Sequence, residues 1–448
     1  MSVLPDFIQR CCRIQEEVGE DRERFAGLFR NIYSEITNFE SDKIPAYSLP
    51  SPLVYDDGHK VATAFEWMNC RRRQVLDIFK SEIYGEEIPR PDGMRFELLS
   101  EKKGALNGIA CRKEIRIICT MRNGREFSFD MLLYVPMQIN KPVPVFFGLN
   151  FKGNHGCTDE KDVMMTPGRF NDGTENIVTR QTPEFYDESS RGGQSSRWCF
   201  EEVVRQGYAS ATICYEDIFP DQPFGWGDSC LTLWGDYENY YGFHEKYSSI
   251  GAWAWGISRA LDCLETLPEI DSECMLLHGH SRLGKTALWA GSVDERCKLV
   301  ISNDSGCLGA ALSHRMYGEN FFILVNYRPH WFVKNARKYI NKEYAMPFDQ
   351  HFLMSLVAPR LLAVASATED HGADPEGEFT SAVNANEVYA LFGSKGLECS
   401  EMPAPDTFVT GDISYHVRTG THNQTPEDWA HYLEIAKRFF TKGEQRND

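Results

Sequence analysis

Ser281 lies in Met275-Leu-Leu-His-Gly-His-Ser-Arg-Leu-Gly-Lys-Thr-Ala-Leu-Trp289, which reads as a short apolar strand, a tight turn and a helix. A serine on such a turn is pushed out of the sheet to where a base can reach it. The helix behind it offers backbone N–H groups to a developing oxyanion. The usual pattern has glycine two residues to either side. Gly279 fits, but the downstream glycine, Gly284, comes one position late and Leu283 takes its place. The same residues also satisfy the phosphate-loop pattern G-x-x-x-x-G-K-[ST] from Gly279 to Thr286, with Lys285 as the phosphate-pairing lysine. The plainest alternative is an ordinary strand–turn–helix with a packed serine.

A serine hydroxyl is a weak nucleophile at neutral pH, so the first reading needs a base and an acid to orient it. Asp304 follows the apolar run Lys298 to Asn303, Asp370 follows Arg360 to Ser366, and His422 follows Ile413 to Arg418. Each stands just after a strand-like segment, where the carboxyl edge of an α/β sheet gathers its sites. His416 is a rival base, but it falls inside the strand pattern. His278 and His280 flank the serine and read as packed side chains. Lys285 opposes the helix dipole at a helix start, which favours a role at the site.

The elements that must position these groups alternate along the chain. Residues 1 to about 90 look helical (Phe25, Leu28, Phe29, Ile32, Ile36), with a Pro/Ser-rich break at Pro45 to Pro52 and a helix over Trp67 to Tyr84. Glu114 to Thr120 and Phe127 to Val135 read as paired strands around Asn123-Gly124. Val143 to Asn150 is a continuous apolar run suited to a buried parallel strand, and Tyr208 to Cys214 is the next. Pro220 to Tyr247 is long, aromatic and irregular, the kind of loop that is usually functional. Helices are expected over Ile250 to Leu267, Phe379 to Phe392 and Pro426 to Thr441, the last with Pro426 at its first position. The expected class is α/β: a three-layer sandwich with a mostly parallel central sheet over 96–448, and an N-terminal helical extension over 1–95 packed on it. A phosphate loop normally follows the first strand of its domain. Here several strands precede Ser281, and the order serine, then Asp304 or Asp370, then His422 is that of an α/β-hydrolase.

Composition narrows the partners. A net charge of −18 argues against nonspecific nucleic-acid binding, because phosphate repulsion would have to be overcome. No apolar run is long enough to span a membrane. The 14 cysteines include no C-x-x-C pair, so no zinc site is suggested, and Cys119, Cys214 and Cys274 sit in strand-like runs as free thiols. Met1 to Arg10 lacks an apolar signal core, which reads as cytoplasmic, or as secreted if a signal has been trimmed. No cofactor or metal is expected.

With these residues assembled, the sequence resembles the glucuronoyl esterases, a carbohydrate-esterase family of α/β-hydrolase fold, most closely its bacterial members. The resemblance rests on Gly279 to Lys285, late glycine included, and on Gly148-Leu-Asn-Phe-Lys-Gly-Asn-His155, Arg191-Gly-Gly-Gln-Ser-Ser-Arg-Trp198, Asn303-Asp-Ser-Gly-Cys-Leu-Gly309, Pro329-His-Trp-Phe332 and Tyr415-His-Val-Arg-Thr-Gly-Thr-His422. It implies Ser281 as nucleophile, His422 as base, Arg282 as oxyanion support, and Lys285 and Glu319 as partners of sugar hydroxyls. His155, Gln194 and Trp331 would line the sugar site, although His155 reads equally as a structural loop residue. Members carry the acid after one of two strands, and this chain has a carboxylate at both. Many members have glutamate where Asp304 stands. Aspartate is one methylene shorter, which favours Asp370 and leaves Asp304 as a helper. Gly372 departs from the family, which usually has tryptophan there, and this puts the 4-O-methyl-glucuronate preference in question. The aromatics between 224 and 243 are the candidates to compensate. The implied activity is a metal-independent serine esterase, acting as a monomer on glucuronate esters of small molecules or oligosaccharides. The alternatives are an esterase for another carbohydrate or small acyl ester, or a hydrolase-fold binding protein without turnover.

Overall fold

Apolar strand runs set the central sheet. The computed structural model describes residues 36–166 and 188–444. Phe25, Leu28, Phe29 and Ile32, expected on helices, lie outside these residues. Among the described residues the strands are β1 (Gly93–Gly104), β2 (Ala110–Thr120), β3 (Glu126–Pro136), β4 (Val143–Asn150), β5 (Ala209–Cys214), β6 (Ile270–His280), β7 (Cys297–Asn303), β8 (Leu361–Ala367), β9 (Thr407–Val409) and β10 (Ile413–Arg418). They form one 10-stranded sheet in the order β1-β2-β3-β5-β4-β6-β7-β8-β10-β9. From β5 through β4, β6, β7 and β8 to β10 every neighbouring pair is parallel. β1, β2 and β3 join as antiparallel ribbons, and β9 closes the other edge antiparallel to β10. β1 was not expected. Its residues carry charge at alternate positions and stay half-buried or exposed, as an edge ribbon allows.

Side-chain alternation divides the core into two layers, since successive strand residues face opposite sides. Phe147, Leu277, Val300 and Val364 pack on one face against α1 (Ser249–Leu264), α2 (Arg282–Val293) and α3 (Pro375–Leu391). Phe146, Leu276, Leu299 and Ala363 pack on the other face against Trp429, Tyr432 and Leu433 of α4 (Pro426–Glu444). The result is the three-layer α/β arrangement. Cys119, Cys214 and Cys274 are buried free thiols within it.

A nearly continuous helix runs from Ala64 to Tyr84, with π-type turns at Trp67–Arg71 and Lys80–Tyr84. The Thr63 hydroxyl caps its start by accepting from the Glu66 N–H at 3.1 Å. The Arg72 guanidinium donates to the carbonyls of Ser292 (2.7 Å) and Leu356 (3.2 Å), and the Tyr84 hydroxyl donates to the Leu308 carbonyl (2.7 Å). These bonds tie the segment to the backbone beside α2. No helix of the described residues is long and apolar enough to cross a membrane.

Candidate active site

β6 ends at His280 and α2 begins at Arg282, so Ser281 makes the whole turn alone. Its backbone sits at φ 59°, ψ −131°, a conformation that costs a non-glycine residue strain. Hydrogen bonds hold it there. Its N–H donates to the Asn303 carbonyl at 2.8 Å, and its carbonyl accepts from the N–H groups of Gly284 (2.8 Å) and Lys285 (3.1 Å). A β-carbon at Gly279 would meet the Leu283 carbonyl oxygen at 2.0 Å, so no side chain fits. The late glycine has its own cause: a β-carbon at Gly284 would come within 2.9 Å of the Ser305 β-carbon. Leu283, in the usual glycine slot, is buried in the core.

The loops after β7, β8 and β10 carry the other groups to this edge. His422 Nδ1 lies 2.5 Å from Asp370 Oδ2. Asp304 belongs to the same cluster, and a carboxylate oxygen from each acid and a ring nitrogen of His422 all lie within 4.8 Å of one another. The two acids stand in different surroundings. Asp304 is 2 % exposed, and its Oδ2 accepts longer bonds, each 3.4 Å, from Arg418 Nη2 and the Asn423 N–H. Burial, then the nearby Glu378 and Asp370 carboxylates, push its carboxyl well above the usual range against the pull of Arg418. Asp304, Asp370 and His422 are also the described residues that could hold a metal ion. A cation there would compete with the Arg418 guanidinium and with the His422–Asp370 bond.

Arg418, at the end of β10, steadies the base loop. Its guanidinium donates to the Thr421 carbonyl (2.8 Å) and the Asn423 carbonyl (2.5 Å), on either side of His422, and to Asp428 Oδ2 (3.1 Å) in the first turn of α4. His416 is buried and turned toward α4, with Nε2 2.7 Å from Asp428 Oδ1, so the rival base is not on the cavity wall. His278 packs between Trp198 and Trp429, and burial lowers its pKa to about 3. His280 is buried behind His422, with ring centroids 4.5 Å apart. Burial, then repulsion from His422, keep it well below the usual histidine range.

A cavity of about 540 Å³ opens over these residues, and Ser281, Arg282, Lys285, Glu319, Trp331, Asp370 and His422 all line it. Arg282 is held by Asp221, which pairs with its guanidinium and accepts from Trp331 Nε1 (2.6 Å), His330 Nε2 (2.8 Å) and the Tyr215 hydroxyl (3.1 Å). The guanidinium also lies 5.0 Å from the Trp331 ring centroid and 5.7 Å from that of Phe151. Burial opposes ionisation of Asp221, but Arg282 and Arg328 outweigh it and hold the carboxyl well below the usual range. Lys285 is 4 % exposed, and its ammonium donates to the Ser305 carbonyl. Burial lowers its pKa, and attraction to Glu319 resists that shift.

Two expected wall residues stand elsewhere. His155 is fully buried, with Nε2 2.8 Å from the Ser190 hydroxyl and Nδ1 accepting from the Thr166 N–H at 3.2 Å. Neither it nor Gln194 lines the cavity. Both came from matched stretches, and the backbone joins those two stretches, Gln194 N–H donating to the Gly156 carbonyl at 2.9 Å. The aromatics between 224 and 243 are likewise absent from the wall. Two of them, Trp226 and Phe243, are buried, and Trp226 packs on Tyr240 and His244, so this part of the loop packs on the core. The residues at the site that were not foreseen include Asp221, Phe39, Tyr327 and Arg328. Asp221 gave no motif signal beyond its place in the long loop. Phe39 reaches the cavity wall from the N-terminal segment.

Comparison with known proteins places these features in context. A family model described as "Glucuronyl esterase, fungi" matches residues 229–393. Carbohydrate esterase MZ0003, from an unknown prokaryotic organism, is 40% identical over 410 residues, covering 91% of this chain and 93% of its own length. The 4-O-methyl-glucuronoyl methylesterase 1 of Wolfiporia cocos is 32% identical over 363 residues, covering 78% of this chain and 74% of its own length. Among solved structures, a glucuronoyl esterase from Solibacter usitatus is 40% identical, with a TM-score of 0.81, and the match covers 89% of this chain and 99% of that one.

Proposed function

Since the chain belongs to the glucuronoyl esterase family and is a carboxylic ester hydrolase, we propose that it cleaves esters of glucuronic acid, including the 4-O-methyl sugar, through an acyl-enzyme on Ser281. His422 takes the Ser281 proton as the oxygen attacks the ester carbonyl carbon. Asp370, bonded to Nδ1, fixes the ring, leaves Nε2 to act as the base and stabilises the imidazolium that forms. The oxyanion is held by N–H groups at the start of α2 and by the Arg282 guanidinium, prepositioned by Asp221. The intermediate collapses as His422 protonates the leaving alcohol. A water then repeats the cycle, with His422 first as base and then as acid, and frees the glucuronate. Lys285 and Glu319 orient the sugar by bonding its hydroxyls. Every group named comes from one chain, so a monomer suffices.

The observation that carries this reading is the 2.5 Å contact of His422 with Asp370 on the wall of the cavity that also holds Ser281, Lys285 and Glu319. A second reading, an esterase for other acyl esters, is favoured by Gly372, which leaves that part of the wall without a side chain. The test is hydrolysis of methyl and benzyl glucuronate beside p-nitrophenyl acetate, in wild type and Ser281→Ala. Turnover of the glucuronate esters that disappears in the variant is expected. Serine-dependent turnover of the acetate alone would shift the assignment to the second reading.

A further inference from the structure

Phe39 is a large apolar ring, 41% exposed, on the wall of a cavity otherwise rich in charge. Its place is built by the backbone. The Gly318 N–H donates to the Asn38 carbonyl at 2.8 Å, and Asn320 Nδ2 donates to the Ile36 carbonyl at 2.8 Å. One residue along, the Glu319 N–H donates to the Gly372 carbonyl at 2.9 Å. The N-terminal segment therefore lies on 318–320, which in turn lies on the loop after β8. The ring itself is set edge-on against Tyr317, with centroids 6.3 Å apart and planes at 89°. Phe39 thus shares the wall with Glu319 and with Gly372, which offers no side chain of its own.

A pyranose presents two kinds of surface. Its hydroxyls need charged or polar partners, and its axial C–H bonds form an apolar face that packs on the electron-rich face of an aromatic ring. Lys285 and Glu319 answer the first need, and an exposed phenyl beside them answers the second. The geometry points to Phe39 as a specificity-determining residue, the platform on which the sugar ring of the substrate packs. This rests on the glucuronate-ester reading given above. It assigns to the N-terminal segment a direct part in substrate choice, beyond the bonds that tie Ile36 and Asn38 to 318–320.

The experiment measures kcat and KM of the full chain for methyl glucuronate, benzyl glucuronate and ethyl acetate, in wild type, Phe39→Ala, Phe39→Leu and Phe39→Tyr. Losing one stacking contact should raise KM for both glucuronate esters by about three- to tenfold, with kcat changed by less than about twofold. The ratio of kcat/KM for methyl glucuronate over ethyl acetate should fall by a similar factor. Phe39→Tyr keeps a ring face and should keep the wild-type ratio. Phe39→Leu keeps apolar bulk without the ring, so it reports stacking if Phe39→Ala fails to fold. An unchanged ratio in Phe39→Leu overturns the assignment, as does a loss confined to the benzyl ester, which would place the ring under the alcohol. If the wild type turns over ethyl acetate but neither glucuronate ester, the underlying reading fails, and the assignment to Phe39 falls with it.

Discussion

At His422 two carboxyl groups approach one imidazole, and their surroundings give them different parts. Asp370 makes the 2.5 Å bond to Nδ1, while Asp304 is buried and pushed well above the usual carboxylate range, which favours its protonated form. Replacing Asp370 by asparagine should therefore cost about 10²- to 10⁴-fold in kcat, as when the orienting acid of a triad is lost. Asp304→Asn keeps the shape of a group that makes no 2.5 Å bond to the imidazole and should cost less than about tenfold. Steady-state kinetics on methyl glucuronate decides between them, and the opposite order would make Asp304 the orienting acid. The two candidates were legible in the sequence because each closes a strand, but the choice between them depends on side-chain reach and burial. Asp221 was not legible for a related reason. Its partners Arg282, His330 and Trp331 lie 61, 109 and 110 residues away, and no local pattern records such a contact.

The strand–turn–helix around Ser281 was readable as an element because its chemistry is local: apolar run, glycine, serine, helix. The same holds for β4, β7, β10 and the helix of Trp67 to Tyr84. β1 was not readable, since its apolar alternation, Met94, Phe96 and Leu98, is short and gives way to the charged run Glu101 to Lys103. The place of β5 between β3 and β4 was equally hidden, because sheet order is set by crossovers. Local chemistry also predicts where the turn is fragile. In Gly279→Ala the new methyl would stand 2.0 Å from the Leu283 carbonyl oxygen, and backbone must move. Overpacking of this kind should cost about 1–3 kcal/mol. Because the shifted backbone belongs to the first turn of α2, turnover should fall as well as the melting temperature. Thermal unfolding and kcat measured on one preparation would test this, and a variant with wild-type values for both would show that the turn relaxes freely.

Over the whole molecule, burial of acids links stability to pH. Glu343 is 1 % exposed, its Oε1 accepts from the Phe321 N–H at 3.1 Å, and burial raises its pKa from 4.5 to about 8. Between those values the folded chain keeps a proton that the unfolded chain has lost, so folding stability falls as pH rises from about 4.5 to about 8. The slope from one such group is at most about 1.4 kcal/mol per pH unit. Glu343→Gln stays neutral throughout and should show a flatter fall in melting temperature between pH 5 and pH 8 than the wild type. Glu378, also raised to about 8 by burial, keeps part of the slope in both proteins. Calorimetry across that range is the measurement, and parallel curves for variant and wild type would overturn the link.

The pairing of Arg282 with Asp221 bears on how a turnover ends. Hydrolysis converts a neutral ester into an acid that carries a negative charge. The guanidinium nearest the ester already has its counter-ion within the protein, and the chain as a whole carries a net charge of −18. A newly formed anion therefore meets an Arg282 charge already paired and a repulsive field at longer range, while Lys285 and Arg328 on the cavity wall are the cations left to hold it. Release of the acid is therefore a contest between those two wall cations and the field of the whole chain, a contest that the uncharged ester never enters.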